Sequence, residues 1–368
     1  MIFILIGFIL RILLAIYNSE YQLLPGIGGD AFRFHLEALN FQNYLEERKF
    51  TQIDYKYEVG WFYSVFLGYL YYIYQASYLF SSILSCIVWL ISSLVFRKIL
   101  LRIKIDNFKV NCALFVYCFL FPISIIYSSV VLREVYMLCF INFMVLYFII
   151  LVDQKRIFFI FKNFIIILSL LFLLGIFHRS NVIFVVLFLG SIFLYYIIQI
   201  LDLKIKSLLL IGIVSTILFY YLGYMENLFY IIKDYQVGHI HPTTEARAAY
   251  YSEVEIRSLT FSFLNFFKYI LGNIMNYFIQ PSIFKVNSIS DIILLFENYI
   301  RLFMIICVII KLFKYPSNNH LFHIFILMFF FSEAPYSQAT INWGTASRHH
   351  TQIIGLLIIL FLYPKKNK

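Results

Sequence analysis

The sequence predicts an all-α membrane protein, a polytopic bundle of about ten transmembrane helices. Three observations predict it. Of 368 residues, 62% are hydrophobic and only 13% charged, with a mean hydropathy of +0.85. The apolar residues form runs close to the roughly 20 residues that one crossing requires. Lys and Arg collect in the short segments between those runs. A soluble domain this apolar would expose large adhesive patches, so the solvent for most of the surface is lipid. Spans and two long loops use up the length, and residues 1–368 read as a single membrane-embedded domain.

The runs occupy 2–17, 78–96, 110–129, 133–152, 158–177, 182–200, 207–224, 290–313, 320–337 and 350–363. The first begins at Ile2 without a basic n-region and has no small-residue cleavage site before Asn18. It reads as a retained span rather than a signal peptide. Segments 61–75 and 261–284 are apolar but short or interrupted, and rich in aromatic residues and Asn. Such helices suit the headgroup layer.

Basic residues decide how 61–75 lies. As a span, it would place the stretch from Arg97 to Lys104 on the side of the acidic loop 18–58. Laid flat in the interface, it places the loops at 97–109, 153–162, 202–206, 311–318 and 364–368 on one side. Those loops hold about half of the 29 Lys and Arg but only three acids, Asp106, Asp153 and Asp202. By the positive-inside bias that side is the cytoplasm. The expected location is the inner (cytoplasmic) cell membrane, with both termini cytoplasmic and the loops at about 18–77 and 225–289 outside.

The net charge of +10 belongs to these topogenic loops, which excludes nucleic acid as a partner. Cys86, Cys112, Cys118, Cys139 and Cys307 lie in or beside apolar runs at no metal-like or paired spacing. They read as small core residues.

Ionisable groups are costly in hydrocarbon, so their placement is informative. Apart from Arg11 and Lys162, they read as lying at span ends, in five outer groups. The first follows span one, from Pro25 to Phe41, where Gly-Gly-Asp starts a helix with Asp30 as N-cap. Helical spacing lines up Asp30, Arg33, Glu37 and Asn40 on one face. This is either a capped interfacial helix or a carboxylate held at the membrane surface as a general base. The second is Arg133–Glu134, after Pro122 has kinked or ended a span; a local ion pair is the simpler reading. The third is His178–Asn181, with Arg179 against the positive-inside bias.

The fourth group runs from His239 to Ser258. Its His239 and His241 form only a weak metal signal, so no metal site is assigned, although a divalent metal remains compatible. From Pro242 to Arg257 the pattern reads as a helix with a Thr cap, with Arg247 and Arg257 as anion contacts. The fifth is Asn342–Gly355, where Gly344 permits a turn and Arg348, His349 and His350 sit at a helix N-terminus. Arg beside helix-end amides suits a phosphate or pyrophosphate.

The order of these motifs resembles the GT-C class of membrane glycosyltransferases. It runs from a first span through Gly-Gly-Asp-x-x-x-x-His in the outer loop and an interfacial aromatic helix to Pro and Ser-x-x-x-Leu-Arg-Glu. More narrowly, it is similar to GT-C-like proteins of bacterial surface-polysaccharide clusters. The stretches Tyr277–Pro281, followed by the Glu297 span, and Gly344–His349 add to the likeness. The resemblance implies a polyprenyl-phosphate-linked sugar as donor, a glycan or lipid-linked acceptor, and chemistry at the outer face. It puts Asp30 in the role of base or metal contact, although the usual paired acidic motif is absent because Ala31 follows.

The expected roles are therefore Asp30 as base, positioned by Glu134 or Glu37, and Arg348, Arg179 and Arg247 as phosphate contacts. Arg133, His349 and His35 supply further polar contacts. Two other functions are carried beside this one. Arg179 followed by Gly190 matches an Arg-x10-Gly spacing that resembles O-antigen polymerases. A lipid-linked sugar flippase ranks third, since neither paired interrupted spans nor a mid-membrane charge cluster is visible in the sequence.

Overall fold

The structure, a computed structural model, describes residues 1–21, 24–25, 29–47, 61–74, 77–154, 156–178, 181, 185–190, 192–193, 223–239, 250–314 and 320–364. The elements among them are helices: α1 (Ile2–Tyr21), α2 (Asp30–Glu46), α3 (Trp61–Ile73), α4 (Tyr78–Arg102), α5 (Asn107–Phe119), α6 (Pro122–Tyr127), α7 (Glu134–Asp153) and α8 (Ile157–Phe177). After these come α9 (Tyr224–His239), α10 (Glu253–Ser258), α11 (Phe263–Ile279), α12 (Ile289–Lys314), α13 (His320–Ala339) and α14 (Trp343–Leu362).

Among the described residues, five helices are long and apolar enough to cross a membrane: Ile2–Tyr21, Tyr78–Arg102, Glu134–Asp153, Phe158–Phe177 and Ile289–Phe313. The chain is an all-helical membrane protein. The runs at 320–337 and 350–363 fall within α13 and α14, whereas those at 182–200 and 207–224 lie largely outside the described residues. The helices divide into two compact units, Met1–Val186 with Thr351–Pro364, and Leu187–His350 with Lys365–Lys368.

In the first unit, α1 shows why these residues pack as they do. Its buried positions, Ile4, Gly7, Arg11, Ala15 and Asn18, are spaced three or four apart, while Leu5, Ile6, Ile9 and Leu13 point outward. Small and polar residues inside, apolar residues outside, is the reverse of a soluble helix and follows from lipid as solvent. A methyl group at Gly7 would stand 2.9 Å from the Trp89 ring, so glycine lets α1 approach α4. Asn142 of the buried helix α7 donates to Ser92 Oγ (2.9 Å) and Tyr117 OH (3.2 Å), tying α4, α5 and α7 together.

The expected span at 110–129 is broken. Helix α5 stops at Phe119 and α6 starts at Pro122, because proline has no N–H to give and its ring clashes with the preceding turn. Arg11 repairs the break. Its Nη1 donates to the Cys118 carbonyl (3.3 Å), its Nε to Ser128 Oγ (2.7 Å), and its guanidinium lies 3.5 Å from the Trp89 ring centroid.

Helices α2 and α3 form a hairpin. The α2 residues Ala31, Phe34, Ala38, Phe41 and Leu45 are buried at helical spacing. A methyl group at Gly68 of α3 would stand 2.9 Å from the Ala38 carbonyl oxygen and 2.8 Å from the Phe41 ring. Gly68→Ala is expected to force the two helices apart and cost about 1–3 kcal/mol. An unchanged melting temperature would show a looser hairpin. Asp30 is not the N-cap expected from the sequence. Gly29 holds that position in helical geometry without a side-chain bond, and Asp30 is the first helical residue.

In the second unit, α9 and α11 share a core of Met225, Phe229, Phe266 and Tyr269. Lys233 of α9 donates to the carbonyls of Arg257 (2.9 Å) and Leu259 (2.8 Å), satisfying the end of α10. The helix expected from Pro242 to Arg257 is, among the described residues, only α10. A capping box starts it: Ser252 Oγ accepts from Glu255 N–H, and the Glu255 carboxylate accepts from Ser252 N–H (2.7 Å). This local closure fixes the helix start late. Gly344 likewise makes no turn. Asn342 Oδ1 accepts from Thr345 N–H (2.8 Å) and caps α14, leaving Gly344 within the first turn.

Candidate functional site

The first unit gathers polar side chains where α2, α3 and α8 meet the start of α7. Arg133 and Glu134 are 7% and 3% exposed. They are buried because α2 lies over them, with the Arg133 guanidinium 5.3 Å from the Phe34 ring centroid and its Nη1 3.4 Å from the Phe177 carbonyl. Asp30 stands one turn before Phe34, about 6 Å along the helix. Glu134 opens α7, where the helix dipole favours negative charge, and its Oε2 makes no hydrogen bond.

Aromatic rings wall this region. Tyr63 lies 5.3 Å from Tyr136 between ring centroids, and Tyr136 stacks on Phe177 at 5.8 Å. Burial, and then the charge of Arg133, push the His178 imidazole at the end of α8 down to about 3. It therefore stays neutral. A carboxylate, an arginine, a neutral imidazole and aromatic faces together suit a hydroxylated ring and an anionic group.

The other expected residues of this unit have mainly positioning roles. Glu37 accepts from Arg33 Nε (2.7 Å) and from Ser64 Oγ (2.8 Å), and so binds α2 to α3. His35 Nδ1 lies 2.7 Å from Tyr71 OH, which in turn meets Ser81 Oγ. Burial holds His35 below its ordinary 6.5 and pushes Tyr71 up to about 12. A depressed folded value means that neutral His35 stabilises the fold above the ordinary imidazole range, and this is lost as pH falls through the folded value. The hairpin is expected to loosen as pH falls below the ordinary imidazole range, and His35→Gln is expected to flatten that dependence in pH-resolved melting curves.

Arg348 and His349 belong to the second unit. Arg348 is half-buried, and His349 is buried and stacked on Tyr336 at 3.8 Å. Arg179, Arg247 and His241, together with the His239 side chain, lie outside the described residues. Among the described residues, no three His, Cys, Asp or Glu converge as metal ligands.

The structure corrects the expectation that ionisable groups keep to span ends. Glu297 and Arg301 lie inside α12, fully buried, with Arg301 Nη2 3.5 Å from Glu297 Oε2. Glu333 of α13 meets His350 of α14 at 3.0 Å, also fully buried. Opposite charges four residues apart within the run 290–313 were the signal for the first pair. Nothing local pairs Glu333 with His350. No family model, curated protein or solved structure matches the chain.

Proposed function

We propose that the chain is a GT-C-like glycosyltransferase. It crosses the inner membrane about ten times with both termini cytoplasmic, and moves a sugar from a polyprenyl-phosphate carrier to a cell-surface glycan or lipid-linked acceptor on the outer side. The observation that carries this reading is the meeting of α2 with the start of α7. There a buried Arg133 lies 5.3 Å from the Phe34 ring beside a buried Glu134, and a half-buried Asp30 stands one turn from Phe34 along α2. The isoprenoid tail would stay in lipid while the headgroup reaches that end.

In the reaction the acceptor hydroxyl oxygen bonds to the anomeric carbon. The bond from that carbon to the phosphate oxygen breaks, and its electron pair leaves with polyprenyl phosphate. The transition state is oxocarbenium-like. Asp30 takes the hydroxyl proton, Glu134 stabilises the positive charge developing on the ring, and Arg133 with Arg179 holds the leaving phosphate. The test supplies purified protein in lipid with a polyprenyl-phosphate monosaccharide and a glycan acceptor. Single-sugar transfer with release of polyprenyl phosphate is expected; transfer of whole repeat units instead would make the protein a polymerase.

The break between α5 and α6 and the ion pairs inside the second unit favour a second reading, a transporter of lipid-linked sugars. Movement of the sugar lipid across vesicles with no covalent product would establish it and sink the transferase.

A further inference from the structure

Four ionisable side chains buried in the second unit have no role in the proposed sugar transfer. Glu297, Arg301, Glu333 and His350 are each at most 2% exposed. His350 Nε2 lies 3.1 Å from the Tyr277 carbonyl oxygen and Nδ1 lies 3.0 Å from Glu333 Oε1. A carbonyl only accepts, so Nε2 carries hydrogen. Nδ1 then either accepts from a protonated Glu333 or, in an imidazolium, donates to its carboxylate. Both forms hold one proton shared across that 3.0 Å contact.

Charge accounting makes this proton matter. Glu297 and Arg301 cancel, so the four side chains are neutral when the Glu333–His350 pair holds its proton. Without it they carry one uncompensated negative charge in a low-dielectric interior. A buried structural pair would keep the proton permanently.

A second observation points the other way. Glu333 Oε2 and the buried phenols of Tyr250 and Tyr277, both facing Glu333, lack a well-formed hydrogen bond. Three buried oxygens that converge on one carboxylate leave an unmet demand for hydrogen bonds there. A phenol O–H turned to the Glu333 carboxylate stabilises its deprotonated state.

We infer that the Glu333–His350 pair is a proton-binding site inside the second unit, which takes up and releases one proton through Glu333 Oε2 and the phenols of Tyr250 and Tyr277. Around the pair, the ionisable groups among the described residues are Tyr277 of α11, Glu297 and Arg301 of α12, and Tyr250 before α10. Tyr336 of α13 and His349 of α14 complete the set. This site is independent of the sugar-transfer reading and survives its failure.

Infrared difference spectra of the full chain in lipid, from about pH 5 to about pH 9, test it. Acidification is expected to raise a carboxylic C=O band that shifts in D2O and is missing in Glu333→Gln. Tyr277→Phe keeps both titrating groups, and is expected to keep the band while moving its midpoint. The site is overturned by a wild type without a pH-dependent carboxylic band, by a band that survives Glu333→Gln, or by a midpoint that Tyr277→Phe leaves in place.

Discussion

Asp30→Asn is expected to give a folded, membrane-inserted protein whose sugar transfer is slower by about a hundred- to ten-thousand-fold, the usual loss when a general base is removed. The substitution is isosteric and strikes a half-buried side chain in the first turn of α2. Its structural cost includes the loss of a negative charge from the helix N-terminus, about 1 kcal/mol. That is small beside the five side chains by which α2 is buried, Ala31, Phe34, Ala38, Phe41 and Leu45. Rate and stability should therefore separate, with transfer collapsing while the melting temperature barely moves. Initial rates in lipid nanodiscs, read beside thermal unfolding of the same preparation, check this. Near wild-type transfer would remove Asp30 from the chemistry and leave Glu134 as the carboxylate to be examined.

Arg11→Ala should act in the opposite way, on folding first. Arg11 is fully buried in the middle of α1. Two effects oppose each other. Removing a charge from the interior relieves its desolvation penalty. Against this, the Cys118 carbonyl at the end of α5 loses its Arg11 donor, at about 1–3 kcal/mol. The cation–π contact with Trp89, worth about 2 kcal/mol when desolvated, is lost as well. Ser128 still donates to the Ser124 and Ile125 carbonyls, so its loss is small. The guanidinium has three hydrogen bonds and a ring, and its Nη2 is buried without a partner, so the penalty relieved offsets only part of these losses. Net destabilisation of about 2–4 kcal/mol follows, close to what deleting a large buried side chain costs. Arg11→Met restores volume without the donors. A melting temperature recovered by Met would assign the effect to packing rather than to repair of the helix break.

These two residues mark how much could be read in advance. Asp30 was legible as a functional candidate because Gly-Gly-Asp at the end of a hydrophobic run is a local pattern. Its exact place was not, because Gly29 entered helical geometry and took the cap. The α5–α6 break was legible at Pro122, since a missing N–H acts wherever the residue stands. What Arg11 does there was not, because its partners Cys118 and Ser128 are more than a hundred positions away.

The site divides along the same line. Arg133 and Glu134 were found from their position at a span start. Glu333 and His350 are 17 residues apart on different helices; the sequence placed His350 in the outer Arg348–His350 group, and nothing local tied Glu333 to it.

By itself, the sequence determined the solvent and the elements. Hydropathy summed over the length of one crossing, a proline and the capping residues are properties of consecutive positions, and they act before any helix touches another. Only the tertiary structure decided which polar groups share a site. In lipid no difference in hydrophobicity tells one helix face from the next. Close approach at Gly7 and Gly68, and the pairing of buried polar groups, set the arrangement, and each needs both partners in place at once.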